Sequence, residues 1–211
     1  MFIKIFLLLS VLSCSGEKSN DHLISDKKFD QTKVTKEQKS ETPITGFMVL
    51  KNTYKQEKLL TIYNVDKSKW KSFYLDDKFS LDDIDPSAIK PENTLLVFKC
   101  IGQENEFYKV IVNENKNIVK YIKKNDSDFQ FQATKEHILT VFSVDFNEKE
   151  NPLRTAPNVK SQSFPKNKDS FYYPIKTNGD WLMVEDDNKE NFWIRWRNSE
   201  NKLILELYYD A

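Results

Sequence analysis

Apolar residues in this chain fall in short runs and in alternation, separated at regular intervals by polar and charged clusters. That pattern belongs to strands, whose successive side chains point to opposite faces. It predicts strands over Phe47 to Leu50, Leu59 to Tyr63, Trp70 to Leu75, Thr94 to Ile101, Phe107 to Asn113, Ile118 to Lys123 and Phe129 to Gln132. His137 to Phe146, Phe171 to Thr177 and Leu203 to Tyr209 continue in the same style. No stretch reads as a long amphipathic helix. One helical turn is expected over Pro86 to Lys90, with Asp85 as N-cap and Pro86 in the first helical position.

The organising stretch is Asn178 to Arg197. Asn178-Gly179 signals a tight turn, because glycine tolerates positive φ. Trp181 to Val184 and Phe192 to Arg197 read as paired strands across the polar break Asp186 to Asn191. In the second strand Phe192, Ile194 and Trp196 share one face, and Trp193, Arg195 and Arg197 the other. The expectation is that Trp181, which begins an apolar run, packs inward. Trp193, beside two arginines, is expected to be partly exposed.

Composition narrows the function classes. Four glycines among 211 residues exclude dinucleotide fingerprints and phosphate-binding loops. Aromatics at 13% favour pleated surfaces. A formal net charge of zero supplies no field for nucleic acid, so no nucleic-acid partner is expected.

Residues 1–13 hold one charge, Lys4, and the apolar run Ile5 to Leu12, too short to span a bilayer stably. They read as a signal peptide. Val11-Leu12-Ser13-Cys14 resembles a bacterial lipoprotein box, which implies lipidation at Cys14 and a membrane anchor. Ser15 after the cysteine resembles the pattern of lipoproteins carried beyond the inner membrane, so the expected place is the cell envelope, at the outer membrane. Residues 14–43 are polar and read as a disordered tether, since they bury too little to offset chain entropy. With Cys14 lipidated, Cys100 has no disulfide partner.

Two modules are expected, 44–147 and 148–211, with the boundary in the charged break near Glu148. A weak repeat links them: Tyr108 to Val112 aligns with Trp181 to Glu185, and Tyr121-Ile122-Lys123 with Trp193-Ile194-Arg195. In the second module Leu153-Arg154-Thr155-Ala156-Pro157, then Gly179-Asp180-Trp181-Leu182-Met183-Val184, then Phe192-Trp193-Ile194 resemble the ordered motifs of bacterial SH3-like domains. Phe192 stands where that family often has glycine. The resemblance covers about Asn151 to Tyr209; the first module resembles the family only through its hairpin. It implies two small SH3-like β-barrels in tandem, a mostly-β fold. It also implies binding of a protein segment or a cell-wall peptide, not catalysis.

Candidate chemistry is sparse. Cys100, His137 and His22 are the only ingredients of a thiol nucleophile and base, and Cys100 lies in an apolar run that suits a buried hydrophobe. Two histidines and one spare cysteine do not make a zinc site. Asp76, Asp77, Asp82, Asp83 and Asp85 lack a calcium-loop pattern and read as a solvated acidic loop. No metal or cofactor is expected. The binding candidates are Trp193, Arg195, Arg197, Tyr172 and Tyr173. The function expected is a non-enzymatic envelope lipoprotein that binds an envelope protein or a peptidoglycan peptide. A wall-active hydrolase and a purely structural or inhibitory lipoprotein are the alternatives.

Overall fold

The computed structural model describes residues 43–210 except 77, 78 and 81. The expected signal peptide, Cys14 and His22 lie outside the described residues, as does the tether apart from Pro43. The chain divides into two units, Met1–Lys39 and Ser40–Ala211, and every described residue belongs to the second.

The fold is mostly β. Its strands are β1 Gly46–Leu50, β2 Leu60–Tyr63, β3 Lys69–Phe73, β4 Ala88–Lys90, β5 Leu95–Glu104, β6 Phe107–Asn113, β7 Ile118–Lys123 and β8 Phe129–Ala133. A single helical turn, α1 Thr134–His137, precedes β9 Ser143–Asp145, β10 Leu153–Arg154 and β11 Ser163–Phe164. The chain then forms β12 Tyr172–Asn178, β13 Trp181–Asp186, β14 Asn191–Arg195 and β15 Glu206–Tyr208.

The first sheet runs β3-β2-β7-β6-β5-β1-β8, with β4 added to β5. The second runs β11-β10-β14-β13-β12, and β9 with β15 makes a small third sheet. All the strand-to-strand ladders are antiparallel. Neither large sheet closes on itself in this order, so the two closed barrels expected from sequence are not present among the described residues.

Two cores form. The first gathers Met48, Leu60, Ile62, Leu96, Phe98, Cys100, Val110, Val112 and Ile122 from the first sheet. The second gathers Leu153, Leu182, Val184 and Ile194 from the second sheet, Trp196 just past β14, and Leu205 near the C-terminus. It also takes Ile138, Val141, Val144 and Phe146, which precede Glu148. The weak repeat does not carry over to packing. Val110 and Val112 are core residues, whereas their counterparts Met183 and Glu185 face away from the second core.

The expected helical turn over Pro86 to Lys90 does not form; Ala88–Lys90 is a strand instead. Asp85 bridges Asn113 and exchanges backbone hydrogen bonds with Val112 and Glu114. β4 is thereby drawn onto β5, with Ala88 opposite Val97. Tertiary pairing overrides the local capping signal. Pro91–Asn93 makes a 3-10 turn instead, ended by Thr94 at φ 55°.

His137 to Phe146 also differs from its expected strand. His137 closes α1 and is buried; only Ser143–Asp145 is extended, paired with β15. Asp210 at the chain end forms an ion pair with Lys90 of β4.

Candidate binding face

The second sheet acquires two chemically different faces from the period of its strands. Gly179 at φ 58° turns β12 into β13, with Asn178 opposite Trp181. Glycine at the first central position meets the positive φ of such a hairpin without a Cβ penalty. From there Leu182 and Val184 point into the core, opposite Ile194 and Phe192. Trp181 and Met183 alternate with them and face outward.

Register then assembles the outer face. One row across the strands is Lys176, Met183, Trp193, Arg154 and Ser163; the next is Asn178, Trp181 and Arg195. The Arg195 guanidinium carbon lies 5.5 Å from the centre of the Trp181 ring, and Lys176 Nζ lies 6.0 Å from that of Trp193. Each tryptophan thus carries a cation, an arrangement favoured by the ring quadrupole. Arg154 donates from Nη1 to the Ser161 carbonyl, and Arg195 Nε is buried without an acceptor. None of Arg154, Lys176 and Arg195 forms an ion pair among the described residues.

The inward and outward assignment of the two tryptophans needs correction. Trp193 does stand on the face opposite the core, yet only 8% of its surface is exposed. It occupies the central strand, flanked by Met183 and Arg154, with Lys176 over its ring. Trp181 does not pack into the core; it is half-buried on the outer face beneath Arg195. Trp193 is therefore the floor of the face and Trp181 is part of its surface.

The other sequence candidates are dispersed. Tyr172 is a core residue whose hydroxyl accepts from the Asn167 N–H. Tyr173 is half-buried on the outer side, and its hydroxyl donates to Asp187. That bond raises the Tyr173 hydroxyl above its ordinary pKa. Tyr173 packs edge-on against Phe142, which meets Phe171 in the same way. Arg197 donates from Nε to Asp180 at 2.6 Å and lies over the Trp196 ring.

Arg197 also lines a groove of about 790 Å³, together with Thr45, Lys135, Asn178, Trp196 and Asn201. Sequence reasoning missed Lys135, Asn178 and Asn201. They come from segments far apart in the chain, so no spacing marks them as neighbours.

Cys100 and His137 form no dyad. Cys100 is fully buried, its thiol bonded to the Gly102 carbonyl, and burial raises its pKa. His137 Nδ1 pairs with Gln132 Oε1 at 2.7 Å and Nε2 with the Tyr209 hydroxyl at 2.8 Å, so neither nitrogen is left for a thiol. Desolvation lowers the His137 pKa to about 4. In the acidic loop, Asp83 pairs with Lys71 and Lys116, and Asp85 accepts from Asn115. Among the described residues no group of three or more His, Cys, Asp and Glu side chains is placed to hold a metal, and no helix is long and apolar enough to cross a membrane.

Comparison of the chain with protein-family models, curated proteins and solved structures finds no match.

Proposed function

We propose that the chain is a non-enzymatic lipoprotein of the bacterial envelope, anchored through Cys14 at the outer membrane, whose second module is related to SH3-like domains by its motifs although its sheet is open. The second module binds a peptide, a wall fragment or a protein partner through the outer face of its sheet. One observation carries this reading: Arg154, Lys176 and Arg195 stand without carboxylate partners around Trp181 and Trp193. Arginine and tryptophan are the side chains that most often anchor interfaces. Unpaired cations on an aromatic floor offer a partner both charge and apolar area.

A structural or inhibitory role is the second reading. It draws support from the way the C-terminal residues are held: Tyr209 by His137 and Asp210 by Lys90.

Two measurements test the proposal. Fatty-acid labelling of cells should mark the wild type and not Cys14→Ala; equal labelling contradicts the anchor. Envelope material retained by the wild-type chain should be lost with Arg195→Gln, and undiminished retention contradicts the binding face.

A further inference from the structure

The spacing of the cations on the outer face points beyond a generic partner. Lys176 on β12 and Arg154 on β10 share one cross-strand row, in the sheet order β10-β14-β13-β12. Three strand spacings separate them, about 14 Å at the usual interval. Between them lie Met183 and Trp193, the apolar middle of the row. Arg195 stands to one side in the next row, its Nε buried and lacking an acceptor.

An extended chain rises about 3.3 Å per residue, so residues i and i+4 are about 13 Å apart and point to the same side. We propose that this face takes an extended acidic peptide segment in which two carboxylates, four residues apart, flank an apolar side chain. The proposal rests on the binding reading above and names the chemistry of the partner. The first carboxylate meets Lys176 and the second meets Arg154. The apolar residue midway covers Met183 and Trp193, and a further carboxylate meets the exposed part of the Arg195 guanidinium. A phosphate polymer would satisfy the cations equally well, but it offers nothing apolar to the middle of the row. Guanidinium forks match planar carboxylates in two-point contacts, which favours Arg154 and Arg195 as the reading groups.

The test is titration of the full chain, held in detergent, with the synthetic peptide Ser-Glu-Ser-Leu-Ser-Glu-Ser, followed by tryptophan fluorescence and calorimetry. Replacing both Glu by Gln, or Leu by Ala, should each weaken binding by about tenfold or more, as should Arg154→Gln or Lys176→Gln in the protein. Equal binding of the Gln peptide overturns the carboxylate assignment. Polyphosphate binding at least as tightly as the peptide overturns the peptide class. Should the peptide fail while envelope material still depends on Arg195, the face stands and this partner class falls. Loss of both removes the binding reading as well.

Discussion

Asn151 holds Arg195 by its main chain. The Asn151 side-chain amide donates to the Arg195 carbonyl at 2.8 Å, and its oxygen accepts from the Arg195 N–H at 2.7 Å. β10 begins only at Leu153, and Pro152 has no N–H with which to extend the ladder to β14. The buried amide of Asn151 takes the place of the missing strand residue and fixes where the guanidinium emerges. Asn151→Ala leaves both groups of Arg195 unpaired and should cost roughly 2–4 kcal/mol. Urea unfolding of the full chain checks it; an unchanged midpoint would mean that water replaces the amide freely.

Trp193→Ala should destabilise the fold more than Trp181→Ala. Trp193 is buried between Met183 and Arg154, and truncating such a residue costs about 3–5 kcal/mol. Trp181 is half-buried and outside both cores, so its loss should cost about 1 kcal/mol while weakening binding. Paired thermal melts decide. The opposite order would mean that Trp181, not Trp193, is the floor of the face.

His137 should make the protein less stable in mild acid. Its pKa is lowered from 6.5 to about 4 by burial, so between those values the unfolded chain binds the proton and the folded chain does not. Stability is therefore full above pH 6.5 and falls as pH drops toward 4, by at most about 3 kcal/mol. Geometry gives the same sign. With Nδ1 donating to Gln132, the neutral ring accepts from the Tyr209 hydroxyl; a protonated ring would force that hydroxyl to find another acceptor. Phe47, stacked on the ring at 4.0 Å, supplies none. The loss in midpoint between pH 7.5 and 4.5 should be smaller in His137→Gln than in the wild type. Equal losses would assign the acid sensitivity to the carboxylates.

The sequence is a sound guide where alternation is clean. The inward set Phe192, Ile194 and Trp196 holds, because a polar or cationic residue separates or flanks each member. The Asn178-Gly179 turn holds because few residues other than glycine accept its φ. Trp181 is not legible in the same way, because Trp181 to Val184 is an unbroken apolar run, which carries no phase; only pairing with Arg195 and Ile194 sets its faces. Asp85-Pro86 is a fair helix start locally, and pairing with β5 and β6 outweighs it. The unpaired cations are half legible: Arg195 is visible beside Trp193, but Lys176 and Arg154 join it only through cross-strand register.

Residues 138–146 bear on where the chain can be cut. Ile138, Val141, Val144 and Phe146 complete the second core from before Glu148. A fragment starting near Glu150 should therefore fail to fold, since it lacks four buried apolar side chains worth about 1.5–3 kcal/mol each. A fragment starting at Thr134 keeps them and should fold better. Circular dichroism of both fragments checks this; a folded shorter fragment would show that the four residues are dispensable.

Photo-crosslinking in cells tests the outer face most directly. A benzophenone amino acid placed at Ser163, exposed at the edge of that face beside Arg154, should capture an envelope partner. The same probe at Glu57, exposed in the loop before β2, should not. Capture at Ser163 should disappear when Arg154 and Arg195 are both changed to Gln in a chain of unchanged melting temperature. Equal capture at both positions, or capture indifferent to the two arginines, would contradict the assignment of this face as the binding surface.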